Sequence, residues 1–374
     1  MIWSKQSVLL AVSLAAMVPA MAPRSTPNTR PAAGDSHQAA VGTALTASDA
    51  LARAQAACEI GHGGPASATQ VSQLVRLLAD DTRVETPDCG HRGWGNTFGA
   101  EPVVCLSSPA QEAARALARL GPAAVTPLLA ALADPASPVR RHAAVALGLL
   151  DDHVAAAPAV PRLVATLADV DWRVRRNAVW ALGESGDRTV VAPVSRTLAD
   201  AHPGVRATAA HALGEIDDVR AVDALIGALK DEDPEVRAMV AWALGELEHA
   251  RAVPGLVTAL TDADWRPRAK AAWALGEISS ADAVDGLASA LRDEHVRVRE
   301  MAAWALGEIE SPRAVDALVG ALKDPSWEVR AKAAWALGEI GDSRASDPLA
   351  ASMKDTHAQV REMEAWALAE ALGR

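Results

Sequence analysis

A five-residue phrase, Trp-Ala-Leu-Gly-Glu, returns every 31 residues along most of this chain and constrains its fold more than any other feature. The first position of the phrase is held by Trp180, His211, Trp242, Trp273, Trp304, Trp335 and Trp366. No insertion or deletion interrupts the spacing. A fixed period of this length is typical of a solenoid, in which each unit packs only against its neighbours.

Each unit has the pattern of two helices joined by a short polar turn. Arg220–Lys230 carries apolar residues at helical spacing and predicts the first helix. Asp231–Asp233 is the turn, and Pro234 favours the start of a second helix, because proline suits the first helical position. The same alternation, traced back to Val71, predicts an all-α solenoid of about nine helical pairs.

The composition agrees with thin helical layers and excludes two classes of partner. Hydrophobic residues, mostly Ala, Leu and Val, make up 50 % of the chain, Tyr is absent, and Phe98 is the single Phe. The formal net charge is −11 and the isoelectric point about 5.4. Nucleic-acid binding requires a basic surface, and an anionic membrane repels an acidic protein. We therefore expect neither as a partner.

The N-terminal residues predict an exported protein. Residues 1–22 combine the positive Lys5 with a short apolar run and a small-residue cleavage site, which is the pattern of a signal peptide. Cleavage after Ala20 is favoured, and an uncleaved anchor is the alternative. Residues 23–46, rich in Pro, Ala, Ser and Thr, predict a flexible linker. We expect a periplasmic or secreted protein that is not inserted in a membrane after signal cleavage.

A degenerate cap separates the linker from the regular array. It spans residues 47–121 and begins with a helix capped by Ser48 or Asp49, whose end resembles half of a repeat. Residues 82–108 interrupt the period as a Gly-containing insertion. The regular array then occupies residues 122–374.

All three cysteines, Cys58, Cys89 and Cys105, lie in the cap. One disulfide can join them in three ways, and the sequence does not choose among these. Because His62 and His91 lie near two of the cysteines in sequence, a Cys/His metal site is the alternative interpretation. The predicted export favours a disulfide, so we expect no metal and no cofactor.

Three phrases of the unit resemble a known repeat. With Val-Arg at 236–237, Ala-Trp-Ala-Leu-Gly-Glu at 241–246 and Arg-Ala-Val-Pro at 251–254, the chain resembles the HEAT-like repeats of the phycobilisome (PBS) lyase type. The resemblance covers roughly residues 110–374 and, more weakly, 47–109. It implies a right-handed, armadillo-like α-α superhelix and, with the signal peptide, a bacterial source. It does not imply one function, because the superfamily includes bilin lyase subunits, a di-iron deoxyhypusine hydroxylase and many binding scaffolds.

The repeated Trp and the Glu four residues later form the candidate binding site. A helical wheel places both opposite the buried stripe of the second helix, and in the resembling arrays the second helices line the concave side. Packed helices lie about 10 Å apart, so the two residue types would form a ladder along the array. The predicted partner-binding residues are Trp180, His211, Trp242, Trp273, Trp304, Trp335 and Trp366, with Glu246, Glu277, Glu308 and Glu339.

Such a ladder suits a cationic or amphipathic segment of a protein or peptide, because indole rings attract cations and carboxylates attract Lys and Arg. Two alternatives use the same residues. Each Trp can instead pack on the neighbouring helix and fill the space that small Ala side chains leave. The rings can also stack on sugars of the cell wall.

No catalytic constellation is recognisable. The resemblance to the di-iron hydroxylase implies His-Glu pairs as iron ligands, and this chain contains no His-Glu dipeptide. We find no nucleophile elbow and no phosphate-binding glycine loop. We therefore predict a non-catalytic scaffold for a protein or peptide partner. The alternatives are an enzyme or enzyme subunit of the bilin-lyase or deoxyhypusine-hydroxylase-like superfamily, and a binder of cell-wall glycans.

Other repeated positions are interpreted as structural. The Arg of each Val-Arg pair, such as Arg237, is expected to pair with a turn Asp and tie adjacent units. The Trp residues that open second helices are expected to close over turns: Trp172, Trp265 and Trp327. Glu364 replaces a residue of the buried stripe in the last unit and is interpreted as a polar end cap. The histidines are expected to lie at the surface or cap helices.

Overall fold

The structure is a computed structural model that describes residues 41–85, 106–150 and 157–373. The predicted signal peptide, Cys89, Cys105 and His91 lie outside these residues. The described α-helices are α1 (Ala50–His62), α2 (Ala68–Leu77), α3 (Pro109–Arg119), α4 (Pro122–Ala131), α5 (Ser137–Gly148), α6 (Val160–Thr166), α7 (Trp172–Glu184), α8 (Val191–Arg196), α9 (Pro203–Ile216), α10 (Val222–Ala228), α11 (Pro234–Glu246), α12 (Val253–Ala259), α13 (Trp265–Ile278), α14 (Val284–Ala290), α15 (Val296–Ile309), α16 (Val315–Ala321), α17 (Trp327–Ile340), α18 (Ser346–Ser352) and α19 (Ala358–Gly373).

The first helix of a unit is shorter than predicted, because a capped turn precedes it. Asp218 accepts a hydrogen bond from the backbone N–H of Arg220 and caps a 3-10 turn, Val219–Ala221, which leads into α10. The segment predicted as one helix, Arg220–Lys230, is therefore a 3-10 turn followed by two turns of α-helix.

The second helix begins as predicted. Asp233 accepts hydrogen bonds from the backbone N–H groups of Glu235 (2.8 Å) and Val236 (3.3 Å), and Pro234 occupies the first turn of α11. Four of the second helices end at a residue in the left-handed conformation, which lets the chain leave the helix axis at once. These residues are Asp217, Ser279, Glu310 and Gly341.

The core follows the two rows of helices. Leu225 of the first helix and Leu244 of the second are both fully buried, and so are their equivalents in the neighbouring units. Burial of each such Leu contributes about 1.5–3 kcal/mol. Each second helix packs against the second helices before and after it, as α11 packs against α9 and α13. This nearest-neighbour pattern confirms the predicted all-α solenoid.

Nine helical pairs, from α2/α3 to α18/α19, lie within the described ranges. Helix α1 packs on α3 as the second helices pack on one another, so α1 is the second helix of an incomplete unit that precedes the first pair. Residues 41–44 are also helical, and Val41 and Leu45 are buried in the core. Residues 41–46, the C-terminal end of the predicted flexible linker, therefore belong to the folded part of the chain.

The ends of the predicted insertion form a short two-stranded sheet. Strand β1 (Val84–Glu85) pairs antiparallel with β2 (Leu106–Ser107), with Val84 opposite Ser107. Among the described residues, no helix is long and apolar enough to cross a membrane.

Candidate binding surface along the second helices

The repeated aromatic residues lie at equivalent points of the successive second helices α7 to α19. Trp180 is only 7 % exposed, whereas Trp366 is 37 % exposed. The residues between them are half-buried: His211, Trp242, Trp273, Trp304 and Trp335. Among the indole rings of the ladder, Trp180 thus offers a partner the least surface and Trp366 the most.

Part of each indole is used in packing between repeats. A Cβ atom added to Gly276 would lie 2.6 Å from Cζ3 of Trp304, which belongs to the next second helix. The same contact joins Gly245 to Trp273, where the distance would be 2.7 Å. Glycine is therefore required at this position so that the ring of the next unit can be seated. Apart from the buried Trp180, each ladder Trp packs along one edge and keeps its remaining surface partly exposed, so one ring can serve both predicted roles.

The ladder carboxylates influence one another along the array. Burial raises the pKa of Glu308, and the charges of Glu277 and Glu339, in the units on either side, raise it further. A hydrogen bond from the Trp304 side chain, four residues earlier, partly opposes this rise. The Glu row is thus a continuous negative strip beside the indoles, and an incoming cation would relieve its repulsion.

Several ladder rings stack on another ring of the ladder or lie close to a lysine of their own chain. His211 stacks on Trp242 with ring centroids 4.9 Å apart. The Nζ atoms of Lys270 and Lys332 lie 5.7 and 5.3 Å from the ring centroids of Trp273 and Trp335. These distances fall within the range of cation–π attraction. The ladder environment therefore already accommodates cations on indole rings.

Except for Arg361 in the last unit, which among the described residues donates only to carbonyls of its own turn, the Arg of each Val-Arg pair near the start of a second helix ties one turn to the next, as predicted. Arg237 donates through Nε and Nη2 to both carboxylate oxygens of Asp262, at 2.6 and 2.7 Å. Its Nη1 donates to the carbonyl of Asp231 in its own turn, at 2.8 Å. Equivalent pairs are Arg140–Asp169, Arg175–Asp200, Arg206–Asp231, Arg268–Asp293, Arg299–Asp324 and Arg330–Asp355. These guanidinium groups stabilise the array and are not available to a ligand.

The Trp residues that open second helices also close over turns, and their partners were missed by the sequence analysis. Trp172 stacks on His202, the N-cap of the next second helix, with centroids 3.6 Å apart and an interplanar angle of 7°. Trp265 stacks likewise on His295, at 4.0 Å. Trp327–His357 is a third such pair. In sequence the signal is a His 30 residues after each of these Trp residues.

The array matches two descriptions of one repeat family. The profile of HEAT repeats matches residues 160–234, 224–299 and 285–369, which together span more than half of the chain. The profile of the PBS lyase HEAT-like repeat matches residues 110–134. The chain belongs to the HEAT-repeat family. It is a HEAT-like repeat protein of the PBS lyase type, as the resemblance implied.

A solved structure shares this fold at low sequence identity. Kap95p, solved with RanGDP and described in terms of nuclear import complex assembly, has a TM-score of 0.57 and 17 % identity. The match covers 90 % of this chain and 49 % of Kap95p, so this HEAT array spans about half of that protein's length. An engineered protein matches with a TM-score of 0.49 and 23 % identity over 89 % of this chain and 98 % of its own.

Human deoxyhypusine hydroxylase, solved in complex with glycerol, matches with a TM-score of 0.31 and 24 % identity. That match covers 67 % of this chain and 96 % of the hydroxylase. No curated protein sequence matches the chain. The comparisons therefore establish the HEAT-repeat fold, and any function rests on the residues of this chain.

The last HEAT unit differs from the expected polar end cap. Glu364 is fully buried, not exposed on an outer face. Burial raises its pKa, and neither carboxylate oxygen has a hydrogen-bond partner in the described part of the chain, since the hydroxyl of Ser352 in α18 donates to the carbonyl of Leu349. The prediction was wrong because this position of α19 faces the first helix of its own unit, which is present in the last unit as in all others. Ala369, which takes the place of the Gly of the repeated phrase, is exposed.

The N-terminal cap contains all three cysteines of the chain. Cys58, in α1, is disulfide-bonded, while both candidate partners lie outside the described residues. Its neighbour His62 has Nδ1 2.9 Å from the Cys58 carbonyl oxygen. Because a disulfide sulfur is not a thiolate ligand, Cys58 does not support the alternative Cys/His metal site. In the described ranges, no group of three or more His, Cys, Asp or Glu residues is placed to hold a metal ion.

Proposed function

We propose that this HEAT-repeat protein is a non-catalytic scaffold that binds an extended, positively charged segment of a protein partner along the Trp/Glu ladder. The observation that carries the proposal is the pairing of half-exposed indoles with a mutually repelling row of carboxylates. Burial and the charges of Glu277 and Glu339 raise the pKa of Glu308. Bound Lys or Arg side chains would neutralise this row and contact the rings.

The two components of the ladder act on different parts of the same partner. Trp combines a large contact area with attraction for cations, and it is enriched among the residues that dominate binding energy at interfaces. The Glu row adds electrostatic attraction, which increases the association rate and depends on ionic strength. A segment that is both apolar and basic would use both components. Binding should therefore weaken as the salt concentration rises.

We also propose that the protein works outside the cytoplasm, in the periplasm or as a secreted protein. The predicted signal peptide over residues 1–22 supports this location, and so does the disulfide at Cys58, because structural disulfides persist in oxidising compartments. Cell fractionation, with mass spectrometry of the mature N-terminus, tests the proposal. Recovery of the full-length chain from the cytosol would contradict it.

The ladder is best tested by removing its charge without disturbing its packing. Because the Trp edges seat against Gly, Ala substitutions at Trp would damage the fold as well as the surface. Gln substitutions at the carboxylates keep the size of each side chain. The test variant carries E246Q, E277Q, E308Q and E339Q. The control variant loses the same number of charges from exposed first-helix positions and carries D223N, D285N, D316N and D347N.

Both variants and the wild type would be used to capture partners from the native cell envelope, followed by mass spectrometry. Circular dichroism first confirms equal helix content. We expect a basic or amphipathic protein that the wild type and the control capture and the test variant does not. If all three proteins capture the same set, the ladder is not the binding surface. Competition by soluble cell-wall sugars, with no protein partner, would favour glycan binding.

A further inference from the structure

The ladder contains two kinds of position that alternate along the array. The residue three places before each ladder Trp lies on the same side of its helix. From Trp242 onward this residue alternates between methionine and lysine. The series is Met239, Lys270, Met301, Lys332 and Met363. All five side chains are half-buried, so Met and Lys fill equivalent places in successive repeats.

In the repeats with lysine, the chain itself places a cation near the ladder indole. Lys270 and Lys332 place Nζ within 6 Å of the ring centroids of Trp273 and Trp335. Burial lowers the pKa of Lys270, and the nearby carboxylates Glu235 and Glu246 act against this. In these repeats the attraction of the indole for a positive charge is already used within the chain. A cation from a partner would meet repulsion there.

The methionine positions leave that place available. Methionine ends one heavy atom short of lysine, so nothing of its side chain reaches the point that Nζ occupies. Among the described residues, no Lys or Arg lies over Trp304 or Trp366. The thioether beside the ring keeps the contact apolar and adaptable.

Two of the methionine repeats carry additional negative charge. Glu300 lies four residues before Trp304, and Glu362 lies four residues before Trp366, where the lysine repeats have Ala269 and Ala331. Each of these indoles therefore has a carboxylate on the turn before it and another on the turn after it. Glu300 also accepts a hydrogen bond from Arg297 at 2.8 Å and keeps 15 % side-chain exposure.

We infer that Trp304 and Trp366 are the two cation-binding positions of the ladder, separated by the self-occupied Trp335. This assignment rests on the proposed function and specifies the partner. Two repeats span about 20 Å, since packed helices lie about 10 Å apart. An extended chain advances about 3.3 Å per residue, so six residues cover this distance. Residues six apart also point to the same side of an extended strand.

The partner is therefore an extended segment with basic residues at positions i and i+6. The test uses two synthetic Ser/Thr-based peptides of equal length and charge, one with Arg at i and i+6 and one with Arg at i and i+3. Calorimetric titration of the full mature chain measures their dissociation constants at low salt. We expect the i,i+6 peptide to bind about tenfold more tightly, which corresponds to about 1.4 kcal/mol, within the range of one desolvated cation–π contact.

Three variants identify the positions that produce this preference. Met363→Lys places a lysine beside Trp366, as Lys332 lies beside Trp335, and should weaken the i,i+6 peptide about tenfold. Gln359→Lys adds the same charge to the same helix, seven residues before the ring, and should weaken it about twofold or less. Lys332→Met removes the positive charge beside Trp335 and should strengthen the binding of both peptides. Met363→Lys and Lys332→Met introduce residue types found at equivalent positions of other units, and Gln359 is exposed. Circular dichroism checks the folding of all three variants.

Two results would overturn the inference while leaving the proposed function intact. One is equal affinity for the two peptides, and the other is an equal effect of Met363→Lys and Gln359→Lys. Either result would mean that the ladder attracts basic segments through its total charge alone. If neither peptide binds the wild type, even at low salt, both the inference and the proposed function are wrong.

Discussion

Substitution of Ala for Gly should have opposite effects on stability at two positions of this array. At Gly276, the new Cβ would lie 2.6 Å from Cζ3 of Trp304 and 2.9 Å from Cα of Ala305. Carbon atoms require about 3.5–4.0 Å, so two neighbouring second helices would have to separate by roughly 1 Å. At Gly320, in α16, an added Cβ would meet no atom within 4 Å.

The expected magnitudes follow from these contacts. Overpacking costs up to about 3 kcal/mol, and the upper part of that range applies to Gly276 because one contact is with backbone that cannot rotate away. The better helix propensity of Ala returns about 1 kcal/mol. We therefore expect Gly276→Ala to lower the free energy of unfolding by about 2 kcal/mol. Gly320→Ala gains only the propensity and should raise it by up to about 1 kcal/mol.

Urea denaturation followed by circular dichroism measures both changes. A third variant, Trp304→Ala, and its combination with Gly276→Ala form a double-mutant cycle. The cost of Gly276→Ala should fall when the ring is absent, because the clash with Cζ3 is removed. The reasoning is refuted if Gly276→Ala and Gly320→Ala change stability in the same direction. It is also refuted if the cost at Gly276 is unchanged without the indole.

Three further predictions concern charged and stacked groups. Hydrogen bonds from Arg140 lower the pKa of Asp169, so its stabilising effect is present at neutral pH and is lost as pH falls below about 3.8. Asp169→Asn should therefore cost about 1–3 kcal/mol at pH 7 and much less at pH 3, in urea titrations at both values. Burial raises the pKa of Glu364, so its ionisation destabilises the fold. Glu364→Ala should raise the thermal midpoint at pH 7 by an amount equivalent to about 1 kcal/mol or more. This gain should shrink as the pH falls toward the ordinary pKa of 4.5, because the carboxyl is protonated earlier in the folded protein; a loss of stability at pH 7 would contradict this. His202→Asp keeps a helix cap but removes the stack on Trp172, and it should cost about 0.5–1.5 kcal/mol in urea titrations; an unchanged midpoint would contradict it.

The fold could be predicted from the sequence because its period, caps and buried stripes agree. Asp233 and Pro234 mark the start of one second helix, and a buried Leu recurs at the position of Leu244 in the neighbouring units. The Arg–Asp contacts were predictable for the same reason, since both residues recur with the period. A strict repeat converts one local pattern into many consistent observations.

What could not be predicted depends on contacts between units. A helical wheel shows that Trp304 lies opposite the buried stripe, but it cannot show that Gly276 of the preceding unit receives the edge of the ring. The stacking of Trp172 on His202 also joins two units, so the pattern within one unit does not indicate this contact. Glu364 was misplaced because the wheel does not reveal which neighbour a buried position faces. The identity of the partner is still harder to predict, because a surface of this kind fits a class of ligand and not one molecule.

In most units, the Gly of the repeated phrase contacts the indole of the next unit, as Gly276 contacts Trp304. These indoles are intrinsic fluorescent probes of the junctions between units. Indole emission moves to longer wavelengths when water replaces a packed neighbour. Separation of the last unit would change the environments of Trp366 and of Trp327, whose ring stacks on His357, whereas a break in the middle of the array would change that of Trp273. Variants that keep one ladder indole at a time, with His at the other ladder positions as at His211 and with the Trp residues outside the ladder replaced, would report each junction separately. The order in which the units come apart can therefore be followed without an added label.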